Sequence, residues 1–108
     1  DVCVIVKAIG KIDIGDGDVK IRETVLKLAE EGARTIVIDM ERVRYMDSSG
    51  VGELMNVWTQ LKDQGIKLYL TNLNSKLYDL MSLTRLITVF NIYDSNEDVI
   101  QLVGAQAA

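Results

Sequence analysis

The sequence predicts an α/β fold in which a mixed or mainly parallel sheet of four to five strands is covered by about four helices. Short runs rich in valine and isoleucine alternate along the chain with segments whose apolar residues recur at helical spacing. Such alternation requires crossover connections, and helices are the natural cover for the resulting sheet. The run Thr35-Ile36-Val37-Ile38 is apolar on both faces, which is typical of a central strand covered on two sides.

Length and composition predict one domain over residues 1–108. The chain has 108 residues, of which 48% are hydrophobic and 26% are charged, and it contains no proline. These values are ordinary for a single globular unit. The chain begins with Asp1 instead of Met, which indicates a trimmed or partial chain. An incomplete N-terminal strand or a missing upstream domain therefore stays open.

Two strands and two helices are predicted in the first half of the chain. The first strand covers residues 2–9, and an extra short strand near residues 11–14 is an alternative. After a glycine-rich turn at residues 15–18, a helix over residues 19–31 is predicted, with Asp18 as its N-cap and Gly32 as its stop. The second strand covers residues 34–40. The second helix covers residues 51–62, and its apolar stripe consists of Val51, Leu54, Met55, Trp58 and Leu61.

The second half continues the alternation. Gly65 ends the second helix, and a third strand is predicted over residues 66–70. Leu77, Leu80 and Met81 mark a short helix. The last strand covers residues 89–93, and a terminal helix over residues 96–103 begins after Ser95.

Composition and charge argue against several classes of function. The net charge is -4 and the basic residues are scattered, so we expect no binding to nucleic acid. No apolar run approaches the roughly 20 residues that cross a bilayer, so we expect no membrane association. The single cysteine, Cys3, fits a reducing compartment, and we expect a cytoplasmic protein. The chain has no histidine, the commonest general base and metal ligand, so we expect no catalysis, cofactor or metal.

The most informative segment is residues 45–52, Tyr-Met-Asp-Ser-Ser-Gly-Val-Gly, between a buried strand and an amphipathic helix. Sites in open α/β sheets form at the carboxyl ends of strands. One interpretation is that Ser48 or Ser49 is only the N-cap of the helix. The other is that Ser48 accepts a phosphate, which a helix N-terminus stabilises and whose charge beside Asp47 would repel a fitted partner. The spacing alone leaves both interpretations open.

Residues 37–40 together with residues 45–52 resemble the signature of STAS domains, specifically of bacterial anti-sigma factor antagonists (anti-anti-sigma factors). The resemblance extends over nearly the whole chain. Residues 77–81 are similar to a later helix of the family, and Gly10-Lys11-Ile12-Asp13 is similar to an early turn. Lys11 departs from that turn, where the family has an acidic residue. A receiver domain with Asp39 or Asp47 as the phosphoacceptor fits less well, because Gly10-Lys11 follows the first strand where that fold needs an acidic pair.

The resemblance implies a STAS-like fold and a partner-switching cycle in transcription regulation. The unphosphorylated domain would bind an anti-sigma factor that is also a serine kinase, and the sigma factor would be freed. That kinase would phosphorylate Ser48, and a metal-dependent serine phosphatase would restore binding. Glu53 and Asn56 are expected on the exposed side of the second helix. The residues expected to bind the partner are Asp13, Asp47, Ser48, Ser49, Gly50, Glu53 and Asn56.

Two alternatives from other classes stay open. One is a regulatory STAS domain of an anion transporter or of a lipid-transport complex. The other is a scaffold subunit of a stress-sensing complex whose assembly is controlled by phosphorylation. A weak homodimer is a further open point. The boundaries of the full-length gene and neighbouring genes for a kinase or a sigma factor would distinguish these alternatives.

Overall fold

The computed structural model describes residues 3–12, 16–85 and 88–107, and it confirms the predicted α/β class. Strands and helices alternate along the whole described chain. The elements are β1 Cys3–Ile12, α1 Asp16–Glu30, β2 Thr35–Met46, α2 Ser48–Asp63, β3 Lys67–Thr71, α3 Ser75–Leu83, β4 Asn91–Tyr93 and α4 Asn96–Ala107.

The four described strands form one sheet in the order β1-β2-β3-β4, and each neighbouring pair is parallel. β2 is the longest strand. Its first part, residues 35–39, pairs with β1 on one side and β3 on the other. Beyond Asp39, β2 pairs only with β1 among the described residues. The paired residues 9–12 of β1 and 42–46 of β2, here called the β1–β2 ribbon, therefore extend past the end of β3.

The core lies on both faces of the sheet. Since side chains alternate along a strand, Ile36 and Ile38 of β2 join the large cluster that includes residues of α1, α2 and α3. Val37, between them, joins a smaller cluster with Tyr69 and with Val99 of α4. All three β2 residues are fully buried. The prediction of a central strand covered on two sides is confirmed.

The helix ends agree with the glycine pattern. Gly32 and Gly65 have φ angles of +102° and +74°, in the left-handed region where glycine is unstrained. The residue after each glycine donates a backbone hydrogen bond to the preceding helix, Ala33 to Leu28 and Ile66 to Leu61. These bonds satisfy carbonyl groups that the end of a helix leaves without partners.

Several predicted boundaries were wrong. α1 begins at Asp16, so the predicted N-cap Asp18 lies inside the helix. Carboxylates are favourable throughout a first turn, so the sequence alone did not determine at which aspartate the helix begins. The alternative strand near residues 11–14 is not separate in its described part, since β1 extends to Ile12. β2 continues six residues past its predicted end, to Met46, as a two-stranded ribbon in which polar side chains face solvent.

The beginning of α4 follows the prediction. The backbone N–H of Asp98 donates to the Ser95 hydroxyl at 3.2 Å, so Ser95 precedes the helix and satisfies one of its first N–H groups. β4 is shorter than predicted, with only residues 91–93 paired to β3.

Candidate functional site

The predicted site lies where the β1–β2 ribbon ends. β2 ends at Met46, and α2 begins two residues later at Ser48. The turn between them is a single residue, Asp47. This position is the carboxyl end of a parallel strand, where open α/β sheets form sites.

Asp47 is the N-cap of α2. Its backbone is extended (φ -103°, ψ -176°), and its Oδ1 accepts a hydrogen bond from the Gly50 N–H at 2.9 Å. Its carbonyl oxygen accepts the first helical hydrogen bond, from Val51 at 3.0 Å. The interpretation that Ser48 or Ser49 caps the helix is therefore wrong. Aspartate is as good an N-cap as serine. Asp47 is the residue directly before the helix, so the N-cap position is Asp47 and not a serine.

The Ser48 side chain is exposed, and that of Ser49 is partly buried. Within the described parts of the chain, no hydrogen bond joins the Ser48 hydroxyl to another residue. Helix geometry leaves the first N–H groups of α2 without intrahelical partners. One of them, the N–H of Gly50, donates a hydrogen bond to the Asp47 side chain. The first turn of α2 contains no acidic residue. An exposed hydroxyl thus stands at the electropositive end of a 16-residue helix.

The other predicted site residues differ in exposure. Gly50 is buried, so it contributes to the site only through its backbone N–H, which donates a hydrogen bond to Asp47. Asn56 is exposed, as expected. Glu53 was expected on the exposed side, but its Oε2 accepts from Arg22 Nη1 of α1 at 2.9 Å and its side chain is only 22% exposed. This correction follows from the packing of α1 against α2. Asp13 lies outside the described residues.

Asp39 is the centre of a second, buried polar cluster. Its Oδ1 accepts from the Glu41 backbone N–H and from Asn72 Nδ2, both at 3.0 Å, and its Oδ2 accepts from Asn96 Nδ2 at 2.9 Å. The Thr71 hydroxyl donates to Asn96 Oδ1 at 2.6 Å. We call this set of residues the Asp39 cluster. It joins β2 to the connection after β3 and to the start of α4, at the point where the β1–β2 ribbon leaves the rest of the sheet.

Two opposing effects act on the pKa of Asp39. Burial raises the pKa, because it disfavours the charged form. The hydrogen bonds from Glu41, Asn72 and Asn96 and the positive charge of Lys7 lower it, and together they prevail. The pKa of Asp39 is therefore below its ordinary value, and the carboxylate is charged at neutral pH. Since its oxygens accept three hydrogen bonds in a buried position, Asp39 has a structural role instead of the phosphoacceptor role of a receiver domain.

A family model for the STAS domain matches residues 1–99. The chain belongs to the STAS domain family. The resemblance inferred from residues 37–40 and 45–52 is confirmed.

Among the proteins to which this STAS domain is similar are several named as anti-sigma factor antagonists. The anti-sigma-B factor antagonist of Bacillus subtilis (strain 168) is 36% identical over 92 residues, which cover 85% of this chain and 83% of that protein. A Thermotoga maritima protein assigned as an anti-sigma factor antagonist has a TM-score of 0.83 at 22% identity, covering 93% of this chain and 86% of that one. The Bacillus cell fate determinant SpoIIAA in its phosphorylated form has a TM-score of 0.68 at 24% identity, covering 92% and 88%. The two solved structures share the fold of this chain.

No group of three or more histidine, cysteine, aspartate or glutamate side chains that could hold a metal ion occurs in the described part of this STAS domain. None of its described helices is both long enough and apolar enough to span a membrane.

Gly52, the last residue of segment 45–52, was not among the predicted partner-binding residues of this STAS domain. It lies inside α2 and is exposed, and a methyl group built on it would meet no atom within 4 Å. Its φ angle is not in the left-handed region. Glycine destabilises a helix interior by about 1 kcal/mol relative to alanine, and nothing in the described structure requires it here. Because residues four apart share a helix face, Gly52 forms a flat patch beside Ser48. The feature of the sequence that could have indicated Gly52 is a glycine inside a segment with helical spacing of apolar residues.

Proposed function

We propose that this STAS domain is an anti-sigma factor antagonist controlled by phosphorylation of Ser48. In the unphosphorylated state it binds an anti-sigma factor that is also a serine kinase, and it thereby frees the sigma factor. The observation that carries the proposal is the exposed Ser48 hydroxyl at the start of a helix that Asp47 already caps. A kinase can reach this hydroxyl without opening the fold. The 36% identity to the anti-sigma-B factor antagonist of Bacillus subtilis supports the role.

The phosphoryl transfer takes place on the kinase. Ser48 Oγ attacks the γ-phosphorus of ATP, an Oγ–P bond forms, and the bond between that phosphorus and the bridging oxygen of ADP breaks. The hydroxyl proton passes to a base of the kinase. This STAS domain supplies only the acceptor oxygen, and we propose no catalytic role for it. A metal-dependent serine phosphatase of the same cytoplasm would hydrolyse the phosphoserine and restore binding.

The phosphate affects binding and folding differently. It adds nearly two negative charges, and the first N–H groups and the dipole of α2 stabilise an anion at that position. The folded state therefore tolerates it. A partner surface fitted to a neutral serine beside the Asp47 carboxylate does not, because like charges in an interface cost several kcal/mol. The phosphate therefore acts as an off switch for the interface.

The remaining predicted contacts extend this interface along α2. Ser49 lies beside Ser48, and Asn56 is exposed two turns farther on. At 1.5 Å per residue, Asn56 is about 12 Å from Ser48 along the helix axis. Gly50 and Glu53 support the surface from inside, through the N-cap bond and the Arg22 ion pair. We propose Asp13, the residue that follows β1 in the sequence, as a further contact.

Purified protein is tested with the anti-sigma factor kinase of its source bacterium and ATP, and the products are analysed by mass spectrometry. We expect one phosphate on Ser48, none in S48A, and normal incorporation in the matched control S49A. Incorporation that persists in S48A would contradict the assignment. The transporter and stress-scaffold alternatives predict binding partners of another class, so the absence of a complex between unphosphorylated protein and the anti-sigma factor would favour them.

A further inference from the structure

A groove runs between the end of β2 and α3. We call it the β2–α3 groove, and it encloses about 250 Å³. Met46 and Leu77, at its base, are buried, whereas Tyr45 is 49% exposed. Leu80 is partly buried. The residues that line the groove are Arg44, Tyr45, Met46, Lys76, Leu77 and Leu80. The groove therefore offers apolar surface to a partner at the tip of the β1–β2 ribbon.

The shape of the β2–α3 groove is fixed by hydrogen bonds. Asn74 is the N-cap of α3, and its Oδ1 accepts from the Leu77 N–H at 2.9 Å. The Nδ2 of the same side chain donates to the Val43 carbonyl oxygen of β2 at 3.1 Å. One side chain thus connects the two walls, so the groove is present before a partner binds.

Two positive charges flank the apolar base. Arg44 on β2 and Lys76 on α3 are exposed, and neither belongs to an ion pair among the described residues. Lys76 lies in the first turn of α3, where the helix dipole disfavours a cation. The stability of α3 therefore does not explain why a lysine occupies position 76. In a chain of net charge -4, this pair of cations marks a local surface that is complementary to an acidic segment.

The β2–α3 groove is also close to Ser48. Met46 precedes Ser48 by two residues, and consecutive Cα atoms are 3.8 Å apart, so the two Cα atoms lie within about 8 Å of each other. That distance is comparable to the Debye length at physiological ionic strength. Ser48 is therefore next to the Met46 end of the groove, and a phosphate on it would repel an acidic segment bound there.

We propose that the β2–α3 groove binds an acidic amphipathic segment of the anti-sigma factor. Apolar side chains of that segment pack on Tyr45, Met46 and Leu80, and its carboxylates pair with Arg44 and Lys76. The inference rests on the proposed function and extends its interface from α2 to α3. Phosphorylation of Ser48 would add negative charge next to the bound acidic segment and so weaken its binding.

The test compares dissociation constants for the anti-sigma factor of the source bacterium, measured by titration calorimetry at several salt concentrations. The variant R44E/K76E is matched by K27E/R34E, which makes the same charge change on two exposed residues, one in the last turn of α1 and one just before β2. Since each tenfold in affinity corresponds to 1.4 kcal/mol, loss and reversal of two ion pairs should weaken binding by about tenfold or more. We also expect R44E/K76E to lose much of the salt dependence, whereas the control behaves as wild type.

Equal affinities of R44E/K76E and its control would overturn the groove inference. The proposed function would stand in that case, provided that the wild type binds and S48D does not. A wild-type protein that binds no anti-sigma factor would overturn both proposals. Because R44E/K76E changes surface residues only, circular dichroism should show native folding. Y45A tests the apolar part of the groove independently and should also weaken binding.

Discussion

At the start of α2, the Asp47 carboxylate and the Ser48 hydroxyl are adjacent in sequence but differ in their surroundings. Asp47 Oδ1 accepts a helix N–H at 2.9 Å, whereas the Ser48 side chain is exposed. The aspartate thus stabilises the helix, and the serine hydroxyl is available for chemistry. This division lets the serine change its charge without loss of the N-cap.

Replacing Asp47 should therefore destabilise the protein more than replacing Ser48. We expect D47A to lower the free energy of unfolding by about 1 kcal/mol, the usual effect of losing an N-cap. S48A should change it by less than about 0.5 kcal/mol, as for other surface substitutions. Urea unfolding of the two variants and of D47S, which should restore most of the stability, provides the measurement. A larger loss in S48A than in D47A would show that the serine is the cap after all.

Gly52 provides a second prediction for single residues. Alanine in place of Gly52 should raise the free energy of unfolding by about 0.5–1 kcal/mol, since the added methyl group meets no atom and the helix gains propensity. G65A is the contrasting control. Gly65 has a φ angle of +74°, and alanine there should be destabilising.

A further prediction concerns the affinity of G52A for the anti-sigma factor. If the flat patch at Gly52 lets the partner approach α2, G52A should be more stable and yet bind the anti-sigma factor more weakly than wild type. A G52A protein with wild-type affinity would mean that the glycine has no part in the interface.

Among the elements, the Asp39 cluster joins β2, the segment after β3 and α4 through one carboxylate. Such bonds to a charged acceptor each contribute about 1.5–3 kcal/mol. The cluster fixes where β2 leaves the sheet and becomes part of the β1–β2 ribbon. Ser48, at the end of that ribbon, is therefore positioned by contacts far from it in sequence.

The pH dependence of stability tests the charge on Asp39. Its pKa is lower in the folded protein than in the unfolded chain, where it is about 3.9. The stabilisation is therefore complete above the unfolded pKa and is lost as the pH falls through the folded pKa. D39N should be less stable than wild type by about 2 kcal/mol at pH 7. The difference should shrink as the pH falls below about 4 in chemical unfolding experiments. A constant difference down to pH 2 would show that the charge is not the cause.

Local patterns in the sequence predicted the order and type of the elements but not the contacts that position the site. The strand over residues 35–38 and the helix stops at Gly32 and Gly65 were predictable, because they depend on neighbours within a few residues. Residues 41–46 of β2 were not predicted as strand, because the polar residues among them face solvent in a two-stranded ribbon. The Asp39 cluster was missed because its partners Asn72 and Asn96 are 33 and 57 residues away, and no local pattern encodes such distances.

Across the whole molecule, the sheet, its helices and the Asp39 cluster support the tip of the β1–β2 ribbon, next to which Ser48 is exposed. The STAS fold is shared by proteins with different roles, and a fold alone does not define a function. The function proposed here depends on the local features of that tip: the capped helix, the exposed serine and the neighbouring β2–α3 groove.

The most direct test compares the unphosphorylated protein with the protein phosphorylated at Ser48, prepared with the kinase and purified. For each form, the dissociation constant for the anti-sigma factor and the free energy of unfolding are measured in the same buffer. We predict that phosphorylation weakens binding by roughly 100-fold or more, since a charge buried in an interface costs about 3 kcal/mol or more, while stability changes by less than about 0.5 kcal/mol. Equal affinities for the two forms, or a phosphorylated protein that is largely unfolded, would contradict a switch that acts on binding.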